Sequence, residues 1–154
     1  MKARTIILTV VTCLVSLTQC FAENPNMGTW KLNEVKSNLS PGAVKNNTVV
    51  VESAGDNVKV TIDGVDAQGK AIHVEWTGKF DGKDYPLTGD PTWDSRSYKK
   101  TNDHTTEIAS KKDGKVTMSG RIVVSADDKT RTVTTSGTDA IGKKIHSTSV
   151  YDKQ

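Results

Sequence analysis

Three histidines, a cluster of acids and a run of aromatics are the side chains in this 154-residue chain whose types could do chemistry. His73 and His146 occupy matching places in an internal repeat, so a shared metal site is the first idea to weigh. Such a site needs a third and usually a fourth ligand at fixed geometry, and the spacing does not bring His104 near the other two. Asp63-Gly64-Val65-Asp66 with Gly69 resembles part of a calcium loop, but alternate oxygen ligands and a closing acid are missing. Ser, His and Asp are present without a Gly-x-Ser-x-Gly elbow. Asp81, Asp84, Asp90 and Asp94 crowd one stretch, where turn-forming acids are the ordinary reading. The residues therefore predict no catalytic centre, no metal site and no cofactor, and a protein that is not an enzyme.

The aromatics carry more information. Seven follow residue 22, and five of them fall between 76 and 98: Trp76, Phe80, Tyr85, Trp93 and Tyr98. Aromatics dominate cores, and they also line small-ligand pockets together with a few polar groups. Trp76, Phe80, Tyr85 and Trp93, with the Tyr151 hydroxyl from the chain's end, are the candidate ligand-binding residues.

Those residues must be held by strands, because the chain's dominant period is two. Val58, Val60 and Ile62 alternate with Lys59, Thr61 and Asp63, and Ile72, Val74 and Trp76 alternate with His73, Glu75 and Thr77. Alternation of this kind puts one face of a strand in a core and the other in water. Turn pairs punctuate the runs, among them Gly55-Asp56, Asp81-Gly82, Asp113-Gly114 and Asp127-Asp128. The pattern predicts strands over 28–35, 47–53, 57–63, 70–80, 93–100, 104–111, 115–125, 130–136 and 143–152, a short one near 83–87, and a helical turn within 36–46. Consecutive short strands joined by tight turns make an antiparallel meander. About 8–10 of them in one small all-β domain are best protected at their edges by closing into a barrel; a sandwich is the alternative.

At an offset of 73, Val60-Thr61, Gly64, Asp66-Ala67, Gly69-Lys70 and Ile72-His73 recur as Val133-Thr134, Gly137, Asp139-Ala140, Gly142-Lys143 and Ile145-His146. Either two similar hairpins meet one turn geometry, or a half-barrel is duplicated.

The chain's start reads as an address. Lys2 and Arg4 precede an apolar run from Ile6 to Leu17, and Cys20-Phe21-Ala22 ends it with small residues at both outer places. This is the order of a secretory signal over residues 1–22, too short to span a membrane. The alternative is lipid attachment at Cys20 in Leu17-Thr18-Gln19-Cys20. Cleavage after Ala22 leaves 132 residues, one domain at 23–154, with neither Cys13 nor Cys20. Of 21 Lys and Arg, two leave with the signal, so 19 face 18 acids and the net charge falls near +1. Scattered, balanced charge gives no footprint for nucleic acid.

Gly28-Thr29-Trp30-Lys31-Leu32 at the first strand and Val150-Tyr151-Asp152-Lys153-Gln154 at the last resemble the ends of the lipocalin and fatty-acid-binding protein superfamily, the calycins. Asp127-Asp128-Lys129-Thr130 before a Thr-rich strand is similar to its late hairpin. The nearest likeness is to uncharacterised bacterial lipocalin-like exported proteins. The resemblance implies a barrel closed by Trp30 and a cavity for a small apolar or amphipathic ligand. Two departures stand out. The Arg-x-Tyr of fatty-acid-binding proteins reads Ser149-Val150-Tyr151 here. The late Arg or Lys that lipocalins pack on the opening Trp falls to Lys143 or Lys144. The sequence thus predicts an exported, periplasmic or extracellular, non-enzymatic binder of a small ligand. The alternative is a ligand-free β-domain contacting a protein or the cell envelope.

The signal reading has a direct outcome: N-terminal sequencing of the exported protein should begin at Glu23. A lipidated Cys20 at the start would replace it with the anchored form.

Overall fold

A computed structural model describes residues 24–138, 142 and 144–154; the signal segment 1–22 and Lys143 lie outside them. Ten strands follow in chain order: β1 (Gly28–Leu32), β2 (Lys45–Ala54), β3 (Asn57–Val65), β4 (Ala71–Gly78), β5 (Tyr85–Thr88), β6 (Ser95–Lys100), β7 (Thr105–Lys112), β8 (Lys115–Val124), β9 (Thr130–Thr138) and β10 (Lys144–Lys153). Each pairs antiparallel with the next, and β1 pairs with both β2 and β10, so the sheet closes on itself. The meander is a closed barrel and not a sandwich. Among the described residues, no helix is long and apolar enough to cross a membrane.

The alternation read from the sequence sets the two faces. Val49, Val51, Val60, Ile62, Val74, Trp76, Ile108, Ile122 and Val124 point inward and are buried. Their sequence neighbours Lys59, Asp63, His73 and Glu107 carry charge or polarity on the outer face. Asp113 and Gly114, both at positive φ (50° and 74°), make the two-residue turn between β7 and β8 that an Asp-Gly pair favours. Residues 36–46 do not form a helical turn. Ser37 and Ser40 bond instead to β10: the Ser37 hydroxyl donates to the Asn33 carbonyl and accepts from Val150 N–H, and Asn38 bridges to Thr148. Those bonds pull the segment along the barrel wall, which outcompetes local helix in so short a stretch.

The repeat proves to be one of hairpins. Asp63 faces His73 and Val58 faces Gly78 across β3–β4; at the same offset Ser136 faces His146 and Arg131 faces Tyr151 across β9–β10. Gly64 and Gly137 answer a shared need, since a Cβ at either would run into a neighbouring strand's carbonyl, Lys45 or Thr117. The strands that precede differ in register. Val49 faces Ile62, whereas Ile122 faces Val133, a shift of two residues that keeps each side chain on its face. Four strands separate β4 from β9 around the ring, and two separate β10 from β3. The repeated units are therefore not two halves of the barrel.

Trp30 closes one end. Its ring is fully buried, and its Nε1 donates to the Asn26 carbonyl (3.0 Å). The cation stacked on it is Lys153, with Nζ 5.2 Å from the ring centre, and not Lys144; Lys143 lies outside the described residues. Register decides this: Lys153 lies opposite Trp30 across β1–β10, while Lys144 pairs with Thr138 at the far end of its strand. The Arg131 Nε donates to Asn26 Oδ1 (2.9 Å), so β9 also holds the segment that receives the indole.

Trp30→Ala should cost about 3–5 kcal/mol of stability, as large-to-small core changes do. Lys153→Met should cost about 0.5–1 kcal/mol, the worth of an exposed cation–π contact. Denaturant midpoints of the two variants check both; equal midpoints for wild type and Trp30→Ala would show that this end is not closed by the indole.

Candidate functional site

The aromatic-rich stretch divides once folded. Trp76, Phe80 and Tyr85 come together, and Tyr98 joins them from β6. Trp76 meets Tyr98 edge-on at 4.7 Å between ring centres and Tyr85 edge-on at 5.7 Å, with Phe80 at 6.0 Å. Trp76 Nε1 donates to the Arg96 carbonyl (2.8 Å). Gly78 leaves room for this cluster, because the Tyr85 and Trp76 rings stand where its Cβ would be. These rings fill the space around Trp76.

Trp93 and Tyr151 lie apart from that cluster. Trp93 sits beyond β5, where its Nε1 donates to Thr117 Oγ1 (3.0 Å) and its ring faces the Arg96 guanidinium at 5.3 Å. Tyr151 is buried on β10 with the Arg131 guanidinium 5.5 Å above its ring.

What links these outlying aromatics is a pair of arginines that sequence reasoning passed over. Arg96 and Arg131 are each only 4% exposed. The Arg96 Nε donates to Ser110 Oγ (2.8 Å), and its Nη1 reaches the Tyr98 hydroxyl at a long 3.5 Å. Both arginines, with Asn46, Tyr98 and Tyr151, border an interior void of about 30 Å³ walled by Val49, Ile62, Ile108, Ile122 and Val133. Of the five candidate aromatics, Tyr151 borders it. Burial pushes the Arg131 guanidinium's pKa down, and the nearby Arg96 adds to that against the opposing pull of Tyr151 and Tyr98. Burial pushes the Tyr151 hydroxyl up, opposed by Arg131. The phase of the strands carried the signal for these residues. Arg96 and Tyr98 alternate with Ser95, Ser97 and Lys99, and Arg131 stands two before the inward Val133.

A second concavity lies on the outer face, across β6 to β9. It encloses about 500 Å³ between Ser97, Lys99, Glu107, Ser119, Arg121 and Ser136.

The histidines stay dispersed. His73 Nδ1 is 2.6 Å from Asp63 Oδ1, His146 Nδ1 is 2.8 Å from Ser136 Oγ, and His104 Nδ1 is 3.7 Å from Asp128 Oδ1. Among the described residues, no three His, Cys, Asp or Glu side chains come together as a metal site. The clustered acids serve their own turns. Asp81 accepts from Lys83 N–H, Asp90 from Thr92 N–H and Asp94 from Asp113 N–H, while Asp84 pairs with Lys111. Asp66 likewise accepts from the N–H groups of Gln68 and Lys70, the work of a turn and not of a calcium loop.

A closed ten-strand antiparallel meander barrel is consistent with a calycin-like fold. No protein-family model and no curated protein matches the chain.

The Asp63 carboxylate beside His73 raises the imidazole's pKa above its ordinary value, chiefly by accepting its hydrogen bond. A raised folded value means that this contribution to stability is fully present below the unfolded value of about 6.5 and is lost as pH rises through the folded one. Asp63→Asn should lower the His73 titration midpoint followed by NMR. It should also erase the stability difference between the two proteins above that pH. An unmoved midpoint would break the assignment.

Proposed function

We propose that this chain is an exported, non-enzymatic binding protein of lipocalin-like type, taking a small amphipathic ligand whose anionic end lies between Arg96 and Arg131. The observation that carries the reading is the pair of buried guanidinium groups beside an interior void, flanked by the Tyr98 and Tyr151 hydroxyls. Charge-assisted hydrogen bonds from a guanidinium are among the strongest that a buried site offers an anion. A void of this size takes a carboxylate group, so an apolar tail has to displace neighbouring side chains. Trp93 and Ile72, both half-buried at the end opposite Trp30, are the ones to move. The non-enzymatic reading rests on the dispersal of the three histidines, each beside its own partner. Export to the periplasm or beyond rests on the signal pattern of residues 1–22. The aromatic group of Trp76, Phe80 and Tyr85 serves as the wall behind the site, with Trp93 as its cover.

A second reading is favoured by one observation: the larger concavity is outside. The groove across β6 to β9, with Lys99, Glu107 and Arg121 at its edges, suits contact with a protein or the cell envelope.

Titrating the exported protein with octanoate and with octanol, followed by tryptophan fluorescence, separates the two readings. Octanoate should bind and octanol should bind at least tenfold more weakly. Arg96→Met, checked for folding by circular dichroism, should lose the preference. A hydrogen bond to a charged group is worth about 1.5–3 kcal/mol, which corresponds to a tenfold change or more. Binding of neither compound would leave the barrel as a filled core and favour the surface reading.

A further inference from the structure

Arg96 and Arg131 are the only buried charged side chains among the described residues. Every Asp and Glu described is half-buried or exposed, on the outer face or in turns. Two like charges thus border one void with no buried carboxylate beside them among the described residues. Protein groups engage the Nε of each arginine, Ser110 Oγ for one and Asn26 Oδ1 for the other. Beyond these, the hydrogen-bond partner of either guanidinium among the described residues is the Tyr98 hydroxyl, 3.5 Å from Arg96 Nη1. Both arginine side chains line the same void.

We infer that this void is a resident binding site for one small monovalent inorganic anion of halide size, held between Arg96 and Arg131. The volume sets the size of the occupant. About 30 Å³ takes roughly two waters, and so a single halide, but no organic chain. The lining sets its sign. Guanidinium groups donate and never accept, and they stay charged in proteins. Asn46 supplies an amide, and Tyr98 and Tyr151 supply hydroxyls able to turn their protons toward an anion. The Tyr151 hydroxyl stays protonated because burial holds its pKa up. Tyrosinate therefore does not provide the counter-charge. The aliphatic walls of Val49, Ile62, Ile108, Ile122 and Val133 lower the local dielectric, where one halide cancels one of the two positive charges and water cancels neither.

This inference does not rest on the organic ligand proposed above, although such a ligand's anionic end would displace the ion. The test uses halide alone. The exported protein is held at constant pH and ionic strength in sodium gluconate, whose polyhydroxylated chain suits neither the void nor its aliphatic walls, and gluconate is replaced stepwise by chloride or bromide. Above the dissociation constant, each tenfold rise in halide should raise the thermal midpoint by roughly 3–8 °C. Arg131→Met should abolish the dependence. Should that variant fail to fold, crystals of the wild-type protein soaked in bromide decide the matter through an anomalous peak between the two guanidinium groups. Equal midpoints in chloride and gluconate, or bromide on the surface as an adventitious ion only, would overturn the inference. A halide response without octanoate binding removes the ligand reading alone, and octanoate binding without a halide response removes this one alone.

Discussion

β1 has five residues and must hydrogen-bond on both sides, to β2 and to β10, for the sheet to have no edge. Ten strands that failed to meet there would leave two long rows of unpaired backbone groups, a template for pairing with other chains. The closure is held by side chains as much as by the ladder. Trp30, in the middle of β1, is buried; its indole donates to Asn26, Lys153 from β10 covers its face, and Arg131 from β9 grips the Asn26 side chain. Three segments far apart in sequence thus converge on one indole. A domain without a cysteine after residue 22 has no disulfide to fix its ends, so this contact takes that role.

The same network brings a cation into the core. Arg131 is anchored at its Nε by Asn26 and lies over the Tyr151 ring, leaving its terminal nitrogens to the interior. Arg96 arrives from the other side, backed by Ser110 and covered by Trp93. An isolated charge in a dry core costs several kcal/mol even after relaxation. A barrel that stability alone had shaped would carry aliphatic residues at these two positions. Two buried cations impose a cost that the rest of the fold must offset, and the proposed function rests on them.

The aromatic cluster supplies part of that offset. Trp76, Phe80, Tyr85 and Tyr98 pack with edge and tilted geometries, which the ring quadrupoles favour over flat stacking. Their packing fixes the inner ends of β4 and β6 and places the Arg96 carbonyl where Trp76 can donate to it.

The sequence by itself determined the strands, their faces and the meander, because alternation and turn residues act over a few neighbours. Val60, Ile62, Val74 and Trp76 were legible as inward, His73 as outward, and Asp113-Gly114 as a turn, each from local pattern. The repeat was legible too, and the structure adds its equivalent pairs Asp63–His73 and Ser136–His146. What only the tertiary structure decided was closure and everything that closure brings together. Lys153 rather than Lys144 covers Trp30 because the β1–β10 register places it opposite. Ser37 and Asn38 are drawn to β10, where a helical turn was expected. Trp76 and Trp93, 17 residues apart, part company, while Arg96 and Arg131 meet across the interior. The barrel's circumference fixes which inward residues face one another, and that depends on the number of strands and the register of every pair. No local pattern contains it.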